Sequence, residues 1–270
     1  GLSDPATAIR VSFLSVGLWW LLLTVPLLLW VPEPPASSEV RGLTLVGQGF
    51  RQLATTFRHA RLLRQTFLFL VAYWLYIDGV DTVVRMAVDY GLSLGLPEST
   101  PIIALLVVQF VGFPAALAFG PLGERWGARR AIYGAIAVYA LVAAWAYFMD
   151  STWEFYALAV LIGLVQGGIQ SLSRSLYARL VPADKSAEFF GLYNMLGKFA
   201  AVLGPLLMGV VGLLSGSPRL GILSLLVLFA AGAWVLSKVD VAAGMQEAAR
   251  HTGPHGGGGA ADETGFEPLA

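Results

Sequence analysis

Three apolar stretches of this sequence contain ionisable and amide side chains that could bind a solute or an ion. The first holds Asp78, Asp81 and Arg85, the second Gln166, Gln170, Ser173 and Arg174, and the third Asn194 and Lys198. If these stretches cross a membrane, each charge costs several kcal/mol and is by default retained for a function. We interpret these residues as candidates for substrate binding or ion coupling. The alternative is that the amides and a satisfied ion pair only hold helices together.

Helical spacing places the residues of each stretch on one face. At about 100° per residue, Asp78, Asp81 and Arg85 fall within about 60° of one another. Asp81 and Arg85 stand four residues apart with the acid first, which is the favourable order for an ion pair. Asn194 and Lys198 are also four residues apart. Each stretch therefore presents one polar face.

Depth predicts which of these residues meet. Twelve residues at about 1.5 Å each place Asp78 roughly 18 Å below the start of its span, and the same arithmetic places Lys198 about 15 Å deep and Gln166 at a similar level. If Arg85 holds Asp81, Asp78 is left for Lys198 or for a proton. A carboxylate that alternates between a cation and an apolar surrounding can take up and release a proton. A permanent Asp78–Lys198 ion pair with a structural role is the alternative.

The elements that carry these residues are predicted to be membrane helices. The 270 residues are 57% hydrophobic and 13% charged, whereas soluble domains carry about 25% charged residues. Continuous rather than alternating apolar runs exclude strands. Seven runs are long enough to cross about 30 Å of hydrocarbon, which predicts an all-α integral membrane bundle. They are roughly 11–31, 66–88, 100–120, 130–149, 154–176, 189–215 and 219–238.

The connections between these runs alternate in charge. Residues 32–64, 120–130 and 177–188 are basic, whereas 89–99 and 150–154 have no basic residue and 215–219 have only Arg219. Basic loops stay in the cytoplasm. We therefore expect a multi-pass protein of the cell membrane with residue 1 outside and the C-terminal tail in the cytoplasm.

The spacing of the runs divides the chain into four regions. We expect a lone helix at 1–31, a basic cytoplasmic linker at 32–64, a six-helix bundle at 65–238 and a disordered tail at 239–270. Within the linker, Leu53, Phe57 and Ala60 recur at helical spacing between arginines, which predicts an amphipathic helix on the cytoplasmic leaflet. One helix followed by six is expected of a twelve-helix protein cut before the last helix of its first half. The lone helix then belongs to an N-terminal bundle that this chain lacks.

Composition and histidine positions exclude several classes of function. The net charge is zero, so no nucleic-acid partner is expected, and the absence of cysteine removes thiol chemistry. His59, His251 and His255 lie outside the runs, so no Ser–His pair can form at depth. We therefore expect no enzyme, cofactor or metal. A seven-helix receptor or sensor stays open as an alternative, although a retinal protein would need a lysine deeper in the last helix than Lys238.

The connection at residues 120–130 carries a recognisable pattern. Its glycines predict a tight turn, and its charges predict an ion-pair cluster. It resembles the signature loop of the major facilitator superfamily, Gly-x-Leu-(small)-Asp-Arg-x-Gly-Arg-Arg, with Glu124 in place of Asp and Ala128 in place of Arg. The resemblance implies a gating role for this loop. The matching residues are Gly120, Leu122, Gly123, Arg125, Gly127 and Arg129.

Residues 76–82, 166–174, 186–194 and 197–205 narrow the resemblance further. They are similar to the superfamily branch related to the autophagy-linked vacuolar amino-acid effluxer of fungi. This implies six plus six helices, alternating access and a midplane site shared by two halves. The implied function is ion- or proton-coupled transport of a small solute, amino acids being one candidate class. The implied partners are the solute, membrane lipid and the missing N-terminal bundle.

The orientation can be tested with single cysteines, because the chain has none of its own. Cysteines placed within 32–64, 120–130 or 177–188 are expected to resist a membrane-impermeant maleimide applied to intact cells, since these segments are basic. A cysteine within 89–99 should be labelled and serves as the control. Labelling of the three basic segments from outside would overturn the orientation.

Overall fold

The computed structural model of the chain describes residues 5–31 and 43–251, and within them it contains helices and no strands. The predicted all-α class is confirmed. The helices are α1 (Pro5–Trp30), α2 (Leu43–Leu62), α3 (Arg64–Ser93), α4 (Ser99–Trp126), α5 (Ala128–Phe148), α6 (Thr152–Leu180), α7 (Ser186–Phe199), α8 (Leu203–Ser215), α9 (Pro218–Ser237) and α10 (Val241–His251), with a 3-10 turn at Ala183–Lys185.

The seven predicted spans are confirmed in the described residues by length and composition. Six of them are single helices. The seventh, Ala183–Ser215, consists of the 3-10 turn, α7 and α8, and it is interrupted at residues 200–202. Gly204 and Pro205 in the sequence indicate a kink at this place, whereas the structure has a full break.

The chain divides into two compact units, residues 1–49 and 50–270. The first unit contains α1, a continuous apolar helix with Pro26 inside it. The second contains α3 to α10 together with the second part of α2. The part of α2 around Thr56 and Ala60 packs with the bundle, and the predicted domain bounds stay predictions. The predicted linker residues 32–42 lie outside the described part of the chain.

The amphipathic helix predicted between residues 41 and 64 is present as α2, but its apolar face contacts protein. Thr56, Ala60 and the following Leu63 are buried, and the Thr56 hydroxyl donates to Glu188 Oε2 at 3.1 Å. Part of this face therefore packs on the bundle, and a position on the lipid leaflet stays a prediction. Amphipathic spacing shows that a face is covered, but not what covers it.

The prediction of a disordered tail from residue 239 is wrong for residues 241–251, which form α10. Gly244 of α10 lies against Leu180 and Gln65, and Glu247 Oε2 accepts a hydrogen bond from the backbone N–H of Gln65 at 3.3 Å. This helix therefore packs across the ends of α3 and α6. Residues 252–270 lie outside the described part of the chain.

Residues 120–130 are not a loop for most of their length. Helix α4 continues to Trp126, and the turn consists of Gly127 alone, at φ +83°. Gly123 serves packing, since a Cβ on it would overlap the Leu172 side chain of α6. Glycine in a sequence predicts a turn and a close helix contact equally well, so the loop prediction was wrong.

The predicted ion-pair cluster in this segment is also wrong. Glu124 is in no ion pair among residues 5–31 and 43–251. Arg129 instead donates to the carbonyl oxygens of Ser237 and Val239 at 2.9 and 2.8 Å. These carbonyls belong to the C-terminal end of α9, where a cation is stabilised by the helix dipole. A gating role for the segment stays a prediction.

A second arginine repeats this arrangement at the other end of the same two helices. Arg219, the second residue of α9, donates to the Tyr147 carbonyl oxygen at 3.0 Å and pairs with the Asp150 carboxylate, at the end of α5. Each antiparallel helix thus begins with an arginine that binds the end of the other. We call Arg129 and Arg219 with these acceptors the arginine clasp. It explains the one basic residue in the connection at 215–219.

Loss of either arginine is expected to loosen α5 from α9. Arg129→Gln and Arg219→Gln should each lower the stability of the full-length protein in detergent by about 1–2 kcal/mol, seen as a lower Tm. Arg125→Gln is the control, because Arg125 is exposed near the same end of the bundle as Arg129. Equal Tm values for the three variants would contradict the clasp.

Candidate functional site

Three helices surround a polar cavity of about 330 Å³. Helix α3 contributes side chains spaced by four residues, which places them on one face. Helix α6 contributes one amide, and α7 contributes its last turn and a half. We call this the charged cavity. Its lining residues are Tyr73, Ile77, Asp81, Gln170, Asn194, Gly197 and Lys198.

Aromatic packing positions the three helices around this cavity. Tyr73 of α3 stacks on Tyr193 of α7 with ring centroids 4.2 Å apart, and Tyr193 stacks on Tyr177 of α6 at 4.9 Å. Phe69 continues the stack on Tyr177 at 6.0 Å. Such pairs add about 0.5–1.5 kcal/mol each beyond area burial. The stack thus fixes one wall of the charged cavity.

The break between α7 and α8 is explained by Pro205. Proline lacks the N–H that would bond to the carbonyl of Ala201, and its ring clashes with that carbonyl. Helix α7 accordingly ends at Phe199, and α8 begins at Leu203. Pro205 itself lies in the first turn of α8, where its missing donor is tolerated. The break therefore creates two helix ends inside one membrane span.

Each of these helix ends lies beside a charge of the favourable sign. Lys198 is in the last turn of α7, where the carbonyl end of the helix favours a cation. The Asp78 carboxylate lies at the start of α8, where Oδ2 accepts from the Gly204 N–H at 3.0 Å. Asp78 is 1% exposed, so this bond caps α8 within the protein.

The close contact between α3 and α8 depends on the absence of a side chain at residue 204. The Thr82 hydroxyl donates to the Asp78 backbone oxygen at 2.6 Å. A Cβ on Gly204 would overlap that hydroxyl and would lie 3.1 Å from the Asp78 oxygen. Glycine at 204 therefore allows the N–H to reach the carboxylate.

The predicted pairing of Asp78 with Lys198 is wrong. No ion pair joins them within the described ranges, because Asp78 caps α8 while Lys198 lines the charged cavity. Asp81, which lies about 60° away on α3, is the carboxylate that shares the cavity with Lys198. Depth arithmetic gave a similar level for Asp78 and Lys198 but could not tell which neighbour each one faces.

The predicted Asp81–Arg85 ion pair and the predicted polar face of α6 also differ from the structure. Arg85 is exposed and forms no ion pair with Asp81 in the described part of the chain. Arg174 lies over the Phe190 ring at 5.5 Å, outside the cavity lining. Ser173 is fully buried, and its hydroxyl is 2.6 Å from the Tyr76 hydroxyl. Among the predicted residues, the structure brings together Asp81, Gln170, Asn194 and Lys198.

A second polar cavity, of about 280 Å³, lies between α4 and α6. Gln109, Gln166 and Gln170 line it, and Gln170 also lines the charged cavity. We call it the amide cavity. Gln109 was missed because it is a single polar residue in an apolar helix, without a polar neighbour at helical spacing. Its remaining lining residues are Val108, Gly112, Phe113 and Gly167.

Comparison with known proteins identifies relatives along nearly the whole chain. A family model described as vacuole effluxer Atg22 like matches residues 3–249. An MFS-type transporter of Bacillus subtilis, YxiO, is 39% identical over 87% of this chain and 54% of its own length. Autophagy-related protein 22-1 of Phaeosphaeria nodorum is 32% identical over 90% of the chain and 49% of its own length. Autophagy-related protein 22 of Yarrowia lipolytica is 29% identical over 89% and 46%.

The chain spans about half the length of the curated relatives it matches. No solved structure matches it. The relatives identify the family of the chain. The two cavities are features of this chain's own structure.

The Asp78 cap is expected to stabilise the bundle. In the full-length protein, Asp78→Ala should lower stability by about 2 kcal/mol, because it leaves the Gly204 N–H without its acceptor. Gly204→Ala should lower it by about 1–3 kcal/mol through overpacking. Thermal unfolding in detergent measures both.

Two further variants control this prediction. Asp78→Asn retains an acceptor oxygen and should keep most of the stability, while Asp89→Ala removes an exposed carboxylate of the same helix and should change nothing. If Asp78→Ala has the Tm of Asp89→Ala, the cap does not stabilise the bundle.

Proposed function

Because the chain belongs to the Atg22-like family of vacuole effluxers, which are membrane transporters, we propose that it forms one wall of the solute pathway in a secondary active transporter. The observation that carries the proposal is the charged cavity, where a carboxylate, an ammonium and two amides meet between three helices. The opposite wall is supplied by an N-terminal bundle of the same protein. The family favours transport over a receptor, a sensor or an enzyme.

The charges in the cavity are suited to a zwitterionic solute. Asp81 on α3 and Lys198 on α7 offer opposite charges from two different helices, so they can bind an ammonium and a carboxylate of one small molecule. Gln170 and Asn194 add neutral hydrogen-bonding groups between them. Amino acids carry both charges on adjacent atoms, and we propose them as the solute class.

Alternating access requires the helices that form the walls of the cavity to move relative to one another. The break at residues 200–202 supplies a place where α7 can change its angle to α8. Because the aromatic stack joins α7 to α3, such a change would move α8 relative to the wall that carries Lys198 and Asp81. With the basic segments in the cytoplasm, as the positive-inside rule predicts, a bend here would open the cavity to one side at a time.

The same carboxylate can couple transport to protons. Asp81 is half-buried and faces an ammonium across a cavity that a solute fills and leaves. A carboxylate whose surroundings alternate between a nearby cation and apolar helix surface can bind and release a proton. The coupling role thus passes to Asp81, since Asp78 is occupied by α8.

Transport by the full-length protein in proteoliposomes tests this function. With labelled amino acids, Asp81→Asn and Lys198→Met should each reduce solute affinity by about tenfold or more, since each removes a charge-assisted bond. Asp81→Asn should also abolish accumulation driven by a pH gradient while leaving exchange measurable.

The matched controls are Asp89→Asn and Lys238→Met, which remove the same charges outside the cavity. Both should transport like the unmodified protein. Unchanged transport by Asp81→Asn and Lys198→Met would refute the site, and a normal pH dependence of Asp81→Asn would refute its coupling role.

A further inference from the structure

The amide cavity is polar without being charged. Its lining contains three carboxamides, from Gln109 of α4 and from Gln166 and Gln170 of α6, and no ionisable side chain. A carboxamide both donates and accepts hydrogen bonds. A charged side chain of an amino-acid solute would therefore meet no opposite charge here. A neutral group that forms hydrogen bonds would meet donors and acceptors.

Gln166 is not explained by the packing of the helices. Its Oε1 is buried and has no hydrogen-bond partner among the described residues. An unpaired buried polar atom destabilises a fold, and native proteins contain few of them. The neighbouring contacts between α4 and α6 are made by small residues, such as Gly167 against Ala116. The carboxamide thus has a place at the cavity wall but no bond that would hold the helices together.

The two cavities are neighbours, because Gln170 lines both of them. Their volumes are about 330 and 280 Å³. Since a water molecule occupies about 30 Å³ of liquid volume, each cavity exceeds the space that one small polar group needs. A solute held by its charges in the first cavity can extend into the second.

We propose that the amide cavity is a specificity site for a neutral hydroxyl or carboxamide group carried by the zwitterionic solute. This rests on the proposed function, because the charges of the solute are bound by Asp81 and Lys198. Gln166 and Gln109 then select between solutes of equal charge and similar shape. A site that hydrogen-bonds a polar group rejects the isostere that lacks it, since its own polar atoms stay unpaired.

Isosteric amino acids test the proposal on the full-length protein in proteoliposomes. Each amino acid is tested as an inhibitor of counterflow. The potency of threonine is compared with that of valine, and the potency of glutamine with that of methionine. The unmodified protein should bind the polar member of each pair about tenfold more tightly. Gln166→Met should reduce this preference to about twofold or less without weakening valine or methionine, and Gln109→Met should act in the same direction.

Gln246→Met is the matched control, because Gln246 is exposed on α10 and lines neither cavity. It should leave the preference unchanged. Gln166→Met is expected to fold, since its carboxamide oxygen makes no bond that the variant would lose, and its Tm should equal or exceed that of the unmodified protein.

The outcomes separate this proposal from the one on which it rests. If Asp81→Asn and Lys198→Met weaken all four amino acids but the polar members are not preferred, or Gln166→Met leaves the preference intact, the specificity site is wrong and the charged cavity stands. If the four amino acids bind without any dependence on Asp81 and Lys198, or do not bind, the proposed function fails and the specificity site fails with it.

Discussion

A helix that stops inside a membrane must find partners for its last carbonyl groups and its first N–H groups, and this requirement organises the centre of the bundle. Pro205 removes one helical hydrogen bond at this place, and the two ends of the interruption lie at Phe199 and Leu203. One end stabilises the Lys198 ammonium and the other binds the Asp78 carboxylate. Two opposite charges are thus accommodated at the two ends of one interruption without forming an ion pair with each other. Lys198 consequently remains available to the charged cavity.

The walls of that cavity are rigid on one side and interrupted on the other. The stack of Phe69, Tyr73, Tyr177 and Tyr193 joins α3, α6 and α7 through rings with few rotatable bonds. The interruption lies immediately after Lys198, where the backbone leaves its helical hydrogen bonds. Binding groups are therefore held in place by packing, while the position of the following half-helix depends on a few hydrogen bonds at its start.

The sequence was sufficient to predict the seven spans and α2. It was not sufficient to predict α10 or which faces of the helices pack together. Seven spans and the amphipathic α2 followed from apolar run length and helical spacing, and the polar faces of α3, α6 and α7 followed from spacing by four. The rotation of each helix about its axis decides which neighbour Asp78 or Asp81 faces. A single sequence does not specify this rotation. Gly123 signalled a turn and made a packing contact, and Gln109 had no polar neighbour along its own helix. The short α10 was hidden by the glycine-rich composition that follows it.

The arginine clasp has a mechanical consequence. Because Arg129 and Arg219 bind opposite ends of α5 and α9, the two helices cannot slide along each other by even one residue without breaking hydrogen bonds at both membrane surfaces together. The Tyr133 hydroxyl, one turn after Arg129, donates to the Ala233 carbonyl oxygen at 3.0 Å and opposes the same displacement. Helices α5 and α9 can therefore tilt together as one rigid body, but they do not slide past each other. A conformational change that leaves α5 and α9 fixed to each other must then be absorbed elsewhere in the bundle, and the interrupted span at residues 200–202 has no continuous helix there to oppose it.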